Sequence, residues 1–404
     1  MSEFIFWSCL VLFIIILYRN NFSKGIIIFD NILFFSAGFI YYWIIPYFYF
    51  IINKKVTHTA FIDLTQYTKN LQEENKILFL LFCYISYFLF VYVAKYTRKI
   101  VKTKSLHFGR SFLLYDIATI PFCILAFYYL FRMRSSFMGG YIVDYNIMER
   151  GPLITLSLFI FIIAIIKSKY INFYKNWQMI LYWFIAFFVL TLGTRLYFLS
   201  SLVTIIAIYY TNKKSIKTNT FFIYVFLISI VFSIIGILRQ KDSLTLNMIS
   251  FIFLAEPLYT SYSLFSFLKF NDLPLLNLPY GIFIDFVNLI PTILFPEKLD
   301  LMKTLYISEY NYVSPMGAKN IFVSLMENFG ILGSFIFISL FSFITTYLSK
   351  KMPYSYFILL GMICFSFFRD PFSVSIIKYL IQIALIAPIY YYCVIRFLKT
   401  SVKL

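Results

Sequence analysis

The sequence predicts an all-α protein that crosses a membrane about eleven times and carries one large external loop. Three observations favour this fold class. Hydrophobic residues make up 61% of the 404 residues and charged residues only 13%, against about 25% charged residues in soluble domains. Apolar runs that approach the ~20 residues of a membrane-spanning helix recur along the chain. The connections between these runs are alternately rich and poor in lysine and arginine.

Eleven apolar runs have the composition of a spanning helix. In order, they cover residues 4–18, 26–51, 77–94, 112–131, 152–166, 178–193, 196–210, 220–238, 320–348, 354–368 and 371–394. The first run has only Glu3 and no basic flank before it, so we expect a retained helix rather than a cleaved signal. The stretch 178–210 counts as two spans because one helix of that length would measure about 50 Å. Both of its flanks carry lysine, and Gly193 and Thr194 allow a tight reversal.

The basic residues predict the orientation. Alternate connections hold more than half of the 35 lysines and arginines and no Asp or Glu, which places these connections in the cytoplasm. The N-terminus is then external and the C-terminus internal. The chain accordingly divides into spans one to eight (1–238), a large external segment (239–319) and spans nine to eleven (320–404). The external segment contains apolar stretches at 248–270 and 281–295, which predict helices at the interface or folded over the membrane domain.

Several function classes are disfavoured. The net charge of +18 follows from the basic cytoplasmic connections, so we expect membrane lipid and no nucleic acid as a partner. The five cysteines lie unpaired in apolar runs, and the two histidines are far apart in sequence, so we predict no metal site. The chain has no DxD, P-loop, G-x-G-x-x-G or G-x-S-x-G motif. We therefore predict no cofactor, and neither a sugar-nucleotide enzyme nor an ATPase.

Arginines at the outer ends of the predicted spans break the charge rule. They are Arg132, Arg134, Arg150, Arg195, Arg239 and Arg369. Arg195 is the only charge between residues 178 and 210. The guanidinium fork matches phosphate oxygens, so these arginines predict a shared external site for a lipid diphosphate. The alternatives are snorkelling to the head groups and, for Arg369, a local ion pair with Asp370.

Glu327 is the most unusual acid, because it lies about two turns inside the span at 320–348, close to Gly330 and Gly333. A carboxylate at such a depth needs a partner or a function. An ion pair with one of the outer arginines is the structural alternative.

Two stretches, "LGTRLYFLSSLV" (192–203) and "GAKNIFVSLMENFGILGSF" (317–335), carry a resemblance to a family. With the predicted spans and the large external loop, the chain resembles the Wzy-type O-antigen, or oligosaccharide repeat-unit, polymerases of bacterial envelopes. The second stretch is similar to the family's E-x-x-G-x-x-G segment. The resemblance implies a GT-C-like fold in the bacterial inner membrane, with the active site facing the periplasm. It also implies a chain-length regulator and a flippase as partners.

The resemblance further implies a reaction without nucleotide sugar or metal. A glycan on undecaprenyl diphosphate is the donor, a sugar hydroxyl of the next lipid-linked unit attacks, and the diphosphate leaves. Arg195 and Arg239 are the first candidates to stabilise the leaving charge, Glu327 the candidate base, and Arg132, Arg134, Arg150 and Arg369 further binding residues. Tyr259, Tyr262 and Tyr280 are candidates to stack on sugars, or else interface anchors.

Three rival functions stay open. One is a binding or scaffold component of an envelope complex, which would not require the arginines to converge. A flippase for the same lipid-linked units would also need basic residues inside the membrane, but such transporters usually have twelve or more spans in two similar halves. An O-antigen ligase typically carries a histidine in its external loop, and this chain has none between Arg239 and Lys319.

Overall fold

A computed structural model describes most of the chain. The described residues are 1–22, 27–52, 66–69, 71–102, 112–134, 150–168, 171, 175–192, 195–213, 220–221, 223, 246–290, 295–298, 300–301, 310–315 and 318–401. These residues are predominantly helical, and there is no strand among them. Within this part of the chain, seven helices are long and apolar enough to cross a membrane, and three shorter apolar helices accompany them. The predicted all-α, multi-pass membrane fold is confirmed.

The helices follow one another closely along the chain. They are α1 Ser2–Asn21, α2 Asn31–Ile52, α3 Glu73–Ile100, α4 Phe112–Arg132, α5 Arg150–Ser168, α6 Trp177–Thr191, α7 Arg195–Lys213, α8 Leu246–Phe270, α9 Tyr280–Leu289, α10 Ile321–Lys351, α11 Pro353–Cys364, α12 Ser366–Arg369, the π-helical α13 Ser373–Ile386 and α14 Ala387–Ser401. Ten of the eleven predicted spans coincide with these helices. The eighth, 220–238, lies outside the described residues except at positions 220, 221 and 223.

The chain divides into two compact units, and each is built from separate stretches of sequence. The first comprises Met1–Ile100, Tyr209–Thr346 and Ile363–Ile377, and the second comprises Val101–Ile208, Tyr347–Met362 and Lys378–Leu404. Stacked aromatic rings fill the interior of each. In the first unit Phe35 stacks on Phe90 with ring centroids 3.9 Å apart. In the second unit Phe161 stacks on Tyr182 at the same distance. Aromatic side chains bury large areas, so they supply much of the packing in a chain this rich in Phe and Tyr.

Helix α8, which the sequence places in the external segment, packs against α2. The ring of Phe265 lies 5.9 Å from that of Phe50, and the hydroxyl of Tyr41 donates to the carbonyl of Phe253. Hydroxyl side chains on α8 are fully buried and donate to carbonyls of their own helix, as Thr260 does to Pro257 at 2.8 Å. Their polar groups are thereby satisfied without water. Helix α8 is therefore packed into the first compact unit, and its position relative to the membrane stays a prediction.

Two acids at predicted cytoplasmic ends each pair with a base there. Asp30 caps the N-terminus of α2 and accepts from the guanidinium of Arg98 at 2.7 Å. Asp116 on α4 accepts from the ammonium of Lys167 at 2.7 Å. Each pair fixes two helices of its unit against one another near their ends.

Candidate functional site

Helix α10 consists of two helical halves that meet at Gly330. The backbone of this residue has φ 67° and ψ −171°, a left-handed conformation that side chains other than hydrogen strongly disfavour. The halves run over residues 321–329 and 331–351. The sequence predicts one continuous span at 320–348, and the structure corrects this to an interrupted helix, because Gly330 turns the backbone.

The segment before α9 fits into this interruption. The carbonyls of Pro274 and Leu275 accept from the amides of Ile331 and Leu332 at 2.9 and 3.0 Å, so they satisfy donors that the start of a helix leaves open. A Cβ on Gly330 would lie 2.7 Å from the amide nitrogen of Leu276. Glycine is therefore required here both for its φ angle and for the close approach of a second backbone.

Two asparagines fasten the same segment to the first half of α10. Asn277 donates to the carbonyl of Glu327 at 2.6 Å and to the hydroxyl of Tyr310 at 3.0 Å. Asn328 accepts from the amide of Ile282 at 3.2 Å. The stretch 274–282 thus covers the turn of α10 that carries Glu327.

The two halves of α10 bend towards each other. The ring of Phe82 on α3 lies 5.8 Å from that of Phe322 and 5.6 Å from that of Phe335, which places the last two rings at most about 12 Å apart. A continuous helix would separate positions 322 and 335 by about 20 Å along its axis. The first half therefore lies beside α3 instead of rising straight above it.

This bend keeps the first half of α10 beside the N-terminal part of α3. Phe322 also contacts Phe79 of α3, at 6.1 Å. Along α3, Phe79 and Phe82 lie about 28 and 24 Å from Arg98 at the basic end of that helix. With Arg98 at one boundary of a bilayer core of ~30 Å, as the basic connections predict, Phe322 would lie near the opposite boundary. Charged side chains at this level mark functional sites by default.

Glu327 forms an ion pair on the first half of α10. Its carboxylate accepts from the ammonium of Lys319 and, at 3.5 Å, from the hydroxyl of Tyr312. The side chains of Glu327 and Lys319 are 14% and 15% exposed, so the pair is largely but not wholly shielded. From the sequence, an ion pair with an outer arginine is the structural alternative for Glu327. The structure shows an ion pair, but its partner is Lys319.

Arg369 forms a second ion-pair group beside the first. Its guanidinium donates to Glu256 of α8 at 2.6 Å and to Asp370 at 2.9 Å. The Arg369 carbonyl accepts from the backbone amide of Lys319 at 3.0 Å, which connects the two groups. The expected pair with Asp370 is confirmed, and Glu256 extends it to a second helix. Glu327 and Arg369, forty-two positions apart in the sequence, thereby belong to one cluster of charges.

The other predicted arginines have different surroundings. Arg132 and Arg134 are exposed and contact aromatic rings of their own helix, Tyr128 at 5.7 Å and Phe131 at 3.9 Å. Arg150 and Arg195 begin α5 and α7, but their side chains lie outside the described residues. Arg239 lies outside them entirely.

Arg132, Arg134, Arg150 and Arg195 belong to the second unit, whereas Glu327 and Arg369 belong to the first. The convergence of the arginines on one site stays a prediction.

The predicted tyrosines take three positions. Tyr259 is half-buried on α8, one turn beyond Glu256, and its ring lies 6.3 Å from that of Tyr262. Tyr262 is buried. Tyr280 begins α9 and is 60% exposed, and the residue after it, Gly281, lies against Asn328. Tyr280 is therefore the predicted tyrosine most accessible beside the turn that carries Glu327.

Three charged residues escaped the sequence-based prediction. Glu256 lies in the apolar stretch 248–270, and Lys378 in the predicted span 371–394, where its ammonium donates to the carbonyl of Gly151 at 3.4 Å. Both are charges within apolar runs, so the sequence alone could have identified them as candidates. Lys319 precedes a span and looks like an ordinary boundary residue, so only the fold reveals its pair with Glu327.

Within the described residues, no group of three His, Cys, Asp or Glu side chains is placed to hold a metal ion. Comparison of the chain with protein-family models, curated proteins and solved structures gives no match.

Proposed function

We propose that this protein is a glycosyltransferase that joins oligosaccharide repeat units carried on undecaprenyl diphosphate. In this proposal it acts in the bacterial inner membrane with its site facing the periplasm. The observation that supports it most is the charge cluster of Lys319, Glu327, Arg369, Glu256 and Asp370. In the proposal these side chains lie near the level at which a lipid diphosphate meets the membrane surface, beneath a segment that the sequence predicts to be external.

The cluster contains the two kinds of group that the reaction needs. A carboxylate such as Glu327 can take the proton from the attacking sugar hydroxyl as the new glycosidic bond forms. Fixed cations can stabilise the negative charge that grows on the departing diphosphate. In the proposal Lys319 and Arg369 supply that charge near Glu327, and Arg195 and Arg239 remain the sequence-based candidates for the same role.

The charged side chains of this cluster are partly accessible. The side chains of Arg369 and Glu256 are 28% and 27% exposed, although Phe368 beside Arg369 is fully buried. In the proposal the diphosphate binds at this accessible edge of the cluster.

The deciding experiment is the surface polysaccharide of a deletion strain. A polymerase deletion leaves one repeat unit on the lipid core, a flippase deletion leaves none, and a ligase deletion leaves long polymer on its lipid carrier. Complementation with wild type restores long chains, and Glu327→Gln restores only single units. Glu297→Gln, which changes an exposed carboxylate of the external segment, is the matched control and restores long chains. Unchanged polysaccharide in the deletion strain overturns the proposal.

A further inference from the structure

The Lys319 ammonium differs from the other cation of the cluster in how firmly it is held. Among the described residues, Arg369 has two carboxylate partners, Glu256 and Asp370. Lys319 has one, Glu327, together with the ring of Tyr312 at 5.2 Å. An ammonium on a flexible four-carbon stem changes partners more easily than a guanidinium that is fixed by two acids.

The backbone around Lys319 is fixed, so its side chain alone is free to rearrange. The Lys319 amide donates to the carbonyl of Arg369 at 3.0 Å. The next amide, of Asn320, donates to the buried hydroxyl of Ser263 at 3.0 Å, and the carbonyl of Ala318 accepts from Ser314 at 2.9 Å. The ammonium can therefore swing between partners without moving the chain.

We propose that Lys319 binds the diphosphate of the ligand and, on binding it, releases Glu327. This inference rests on the proposed function, because it takes the lipid diphosphate as the ligand. A diphosphate carries more negative charge than one carboxylate and offers more acceptor oxygens, so it competes successfully for the ammonium. Glu327 is then no longer paired with a cation, and its carboxylate is free to face the attacking hydroxyl. The base becomes active only when the donor is in place.

The test uses purified protein in lipid nanodiscs and measures binding of three probes by calorimetry. Farnesyl diphosphate carries both the isoprenoid and the diphosphate, inorganic diphosphate carries only the anion, and farnesol carries only the apolar chain. The variants are Lys319→Met and Glu327→Gln. The matched controls are Lys76→Met and Glu73→Gln, which break a partly exposed ion pair of the same unit.

The two test variants have opposite expected effects. Lys319→Met weakens farnesyl diphosphate binding by about 10- to 100-fold, the loss of a hydrogen bond to a charged group. Glu327→Gln strengthens it by about threefold or more, because a competing and repelling carboxylate is gone. Farnesol binding changes in neither variant, and the controls change no affinity. If the affinity for inorganic diphosphate changes in the same way, the site recognises the anion itself. If only the affinity for farnesyl diphosphate changes, the site recognises the lipid-linked form.

A purely structural ion pair gives a different result. Both variants would then lower the unfolding temperature and leave the affinity for farnesyl diphosphate unchanged, which overturns the inference. If Lys319→Met does not fold, Glu327→Gln is the remaining test. Unchanged or weaker binding of farnesyl diphosphate in Glu327→Gln also overturns the inference. The calorimetry and the deletion strain test different proposals. If the two variants shift the affinity in opposite directions but the deletion strain makes normal polysaccharide, the diphosphate site is supported and the proposed polymerase is refuted. If the deletion strain loses the polymer but neither variant changes the affinity for farnesyl diphosphate, the polymerase is supported and the role of Lys319 is refuted.

Discussion

Arg195 begins helix α7 and is the only charged residue between positions 178 and 210. The described part of the chain includes its backbone but not its side chain, so its role is open to experiment. We expect Arg195→Ala to lower the rate of polymerisation by about 10²–10³, the usual cost of removing one donor to a developing charge. Arg195→Lys keeps the charge but loses the bidentate fork, and we expect it to lose much of the activity. The measurement is polysaccharide length at matched membrane levels of each variant. Wild-type length with Arg195→Ala identifies this residue as an interface anchor.

Arg369 allows a test of stability at the same scale. Removing its guanidinium leaves the carboxylates of Glu256 and Asp370 without their cation. Because all three side chains are partly exposed, we expect Arg369→Met to cost roughly 1–3 kcal/mol, less than the 3–5 kcal/mol of a fully buried pair. Thermal unfolding in detergent measures the loss.

The double variant Glu256→Gln/Arg369→Met should recover part of that stability, since it removes one of the stranded charges. If the double variant is no more stable than Arg369→Met, Arg369 acts through packing and not through its pair with Glu256.

Helix α10 shows how one glycine shapes an element. Gly330→Ala places a Cβ 2.7 Å from the amide of Leu276 in a backbone conformation with φ 67°, so we expect destabilisation of more than about 1 kcal/mol. Gly151→Ala is the control, because a Cβ there meets nothing within 4 Å. The unfolding temperatures of the two variants provide the comparison. Equal stability of both would mean that the interruption tolerates a side chain.

Helix α9 and the residues before it expose a row of apolar side chains. They are Leu275, Leu276, Leu278, Tyr280, Phe283, Phe286 and Ile290. This surface adjoins an exposed apolar stripe on the second half of α10, since the amide of Leu332 donates to the carbonyl of Leu275 and Leu332, Ile336 and Leu340 are exposed at helical spacing. A stripe of this kind on a spanning helix faces lipid. We therefore expect the segment 275–290 to lie in the membrane and not in the aqueous phase.

Spin labels test the position of this segment. Cys9→Ser and Cys393→Ser leave only buried cysteines, so a label on Leu276→Cys or Phe283→Cys is specific. We expect both labels to collide with oxygen and to be shielded from a water-soluble nickel chelate. A label at Asp272→Cys, an exposed polar position just before the segment, should show the reverse. Chelate access at 276 and 283 equal to that at 272 would place the segment in water.

The elements also show what the sequence can predict. Hydropathy and length locate helices at ten of the predicted spans, and seven of these helices are long and apolar enough to cross a membrane, because burial in lipid selects apolar runs directly. The interruption of α10 escapes this reasoning, because both of its halves are apolar and only the contact of Gly330 with Leu276 reveals the break. Glu327 stands out in the sequence as a charge in an apolar run, whereas Lys319 does not. Its link to Arg369 joins positions fifty apart, and such a contact follows from packing alone.

At the scale of the whole molecule, the two compact units do not follow the predicted division of the chain. The first unit combines residues from the N-terminal, central and C-terminal thirds, and the second fills the stretches between them. Glu327 and Arg369 come from different stretches of the first unit. The cluster can form only after those stretches have packed, so its assembly depends on the complete membrane fold and not on any single loop.

The number of crossings decides on which side of the membrane the candidate site lies. Ten predicted spans coincide with helices, and the eighth, at 220–238, falls largely outside the described residues. If this stretch crosses the membrane, the segment before α10 is external. The alternation of lysine-rich connections along the chain predicts the same. Reporter fusions at Lys217, Asp272 and Leu404 should then report the inside, the outside and the inside. A fusion at Lys175 is the control, since that residue lies in a lysine-rich connection and should report the inside. An inside signal at Asp272 would mean that 220–238 does not cross, and Glu327 would then face the cytoplasm, where the proposed lipid-linked donor is not polymerised.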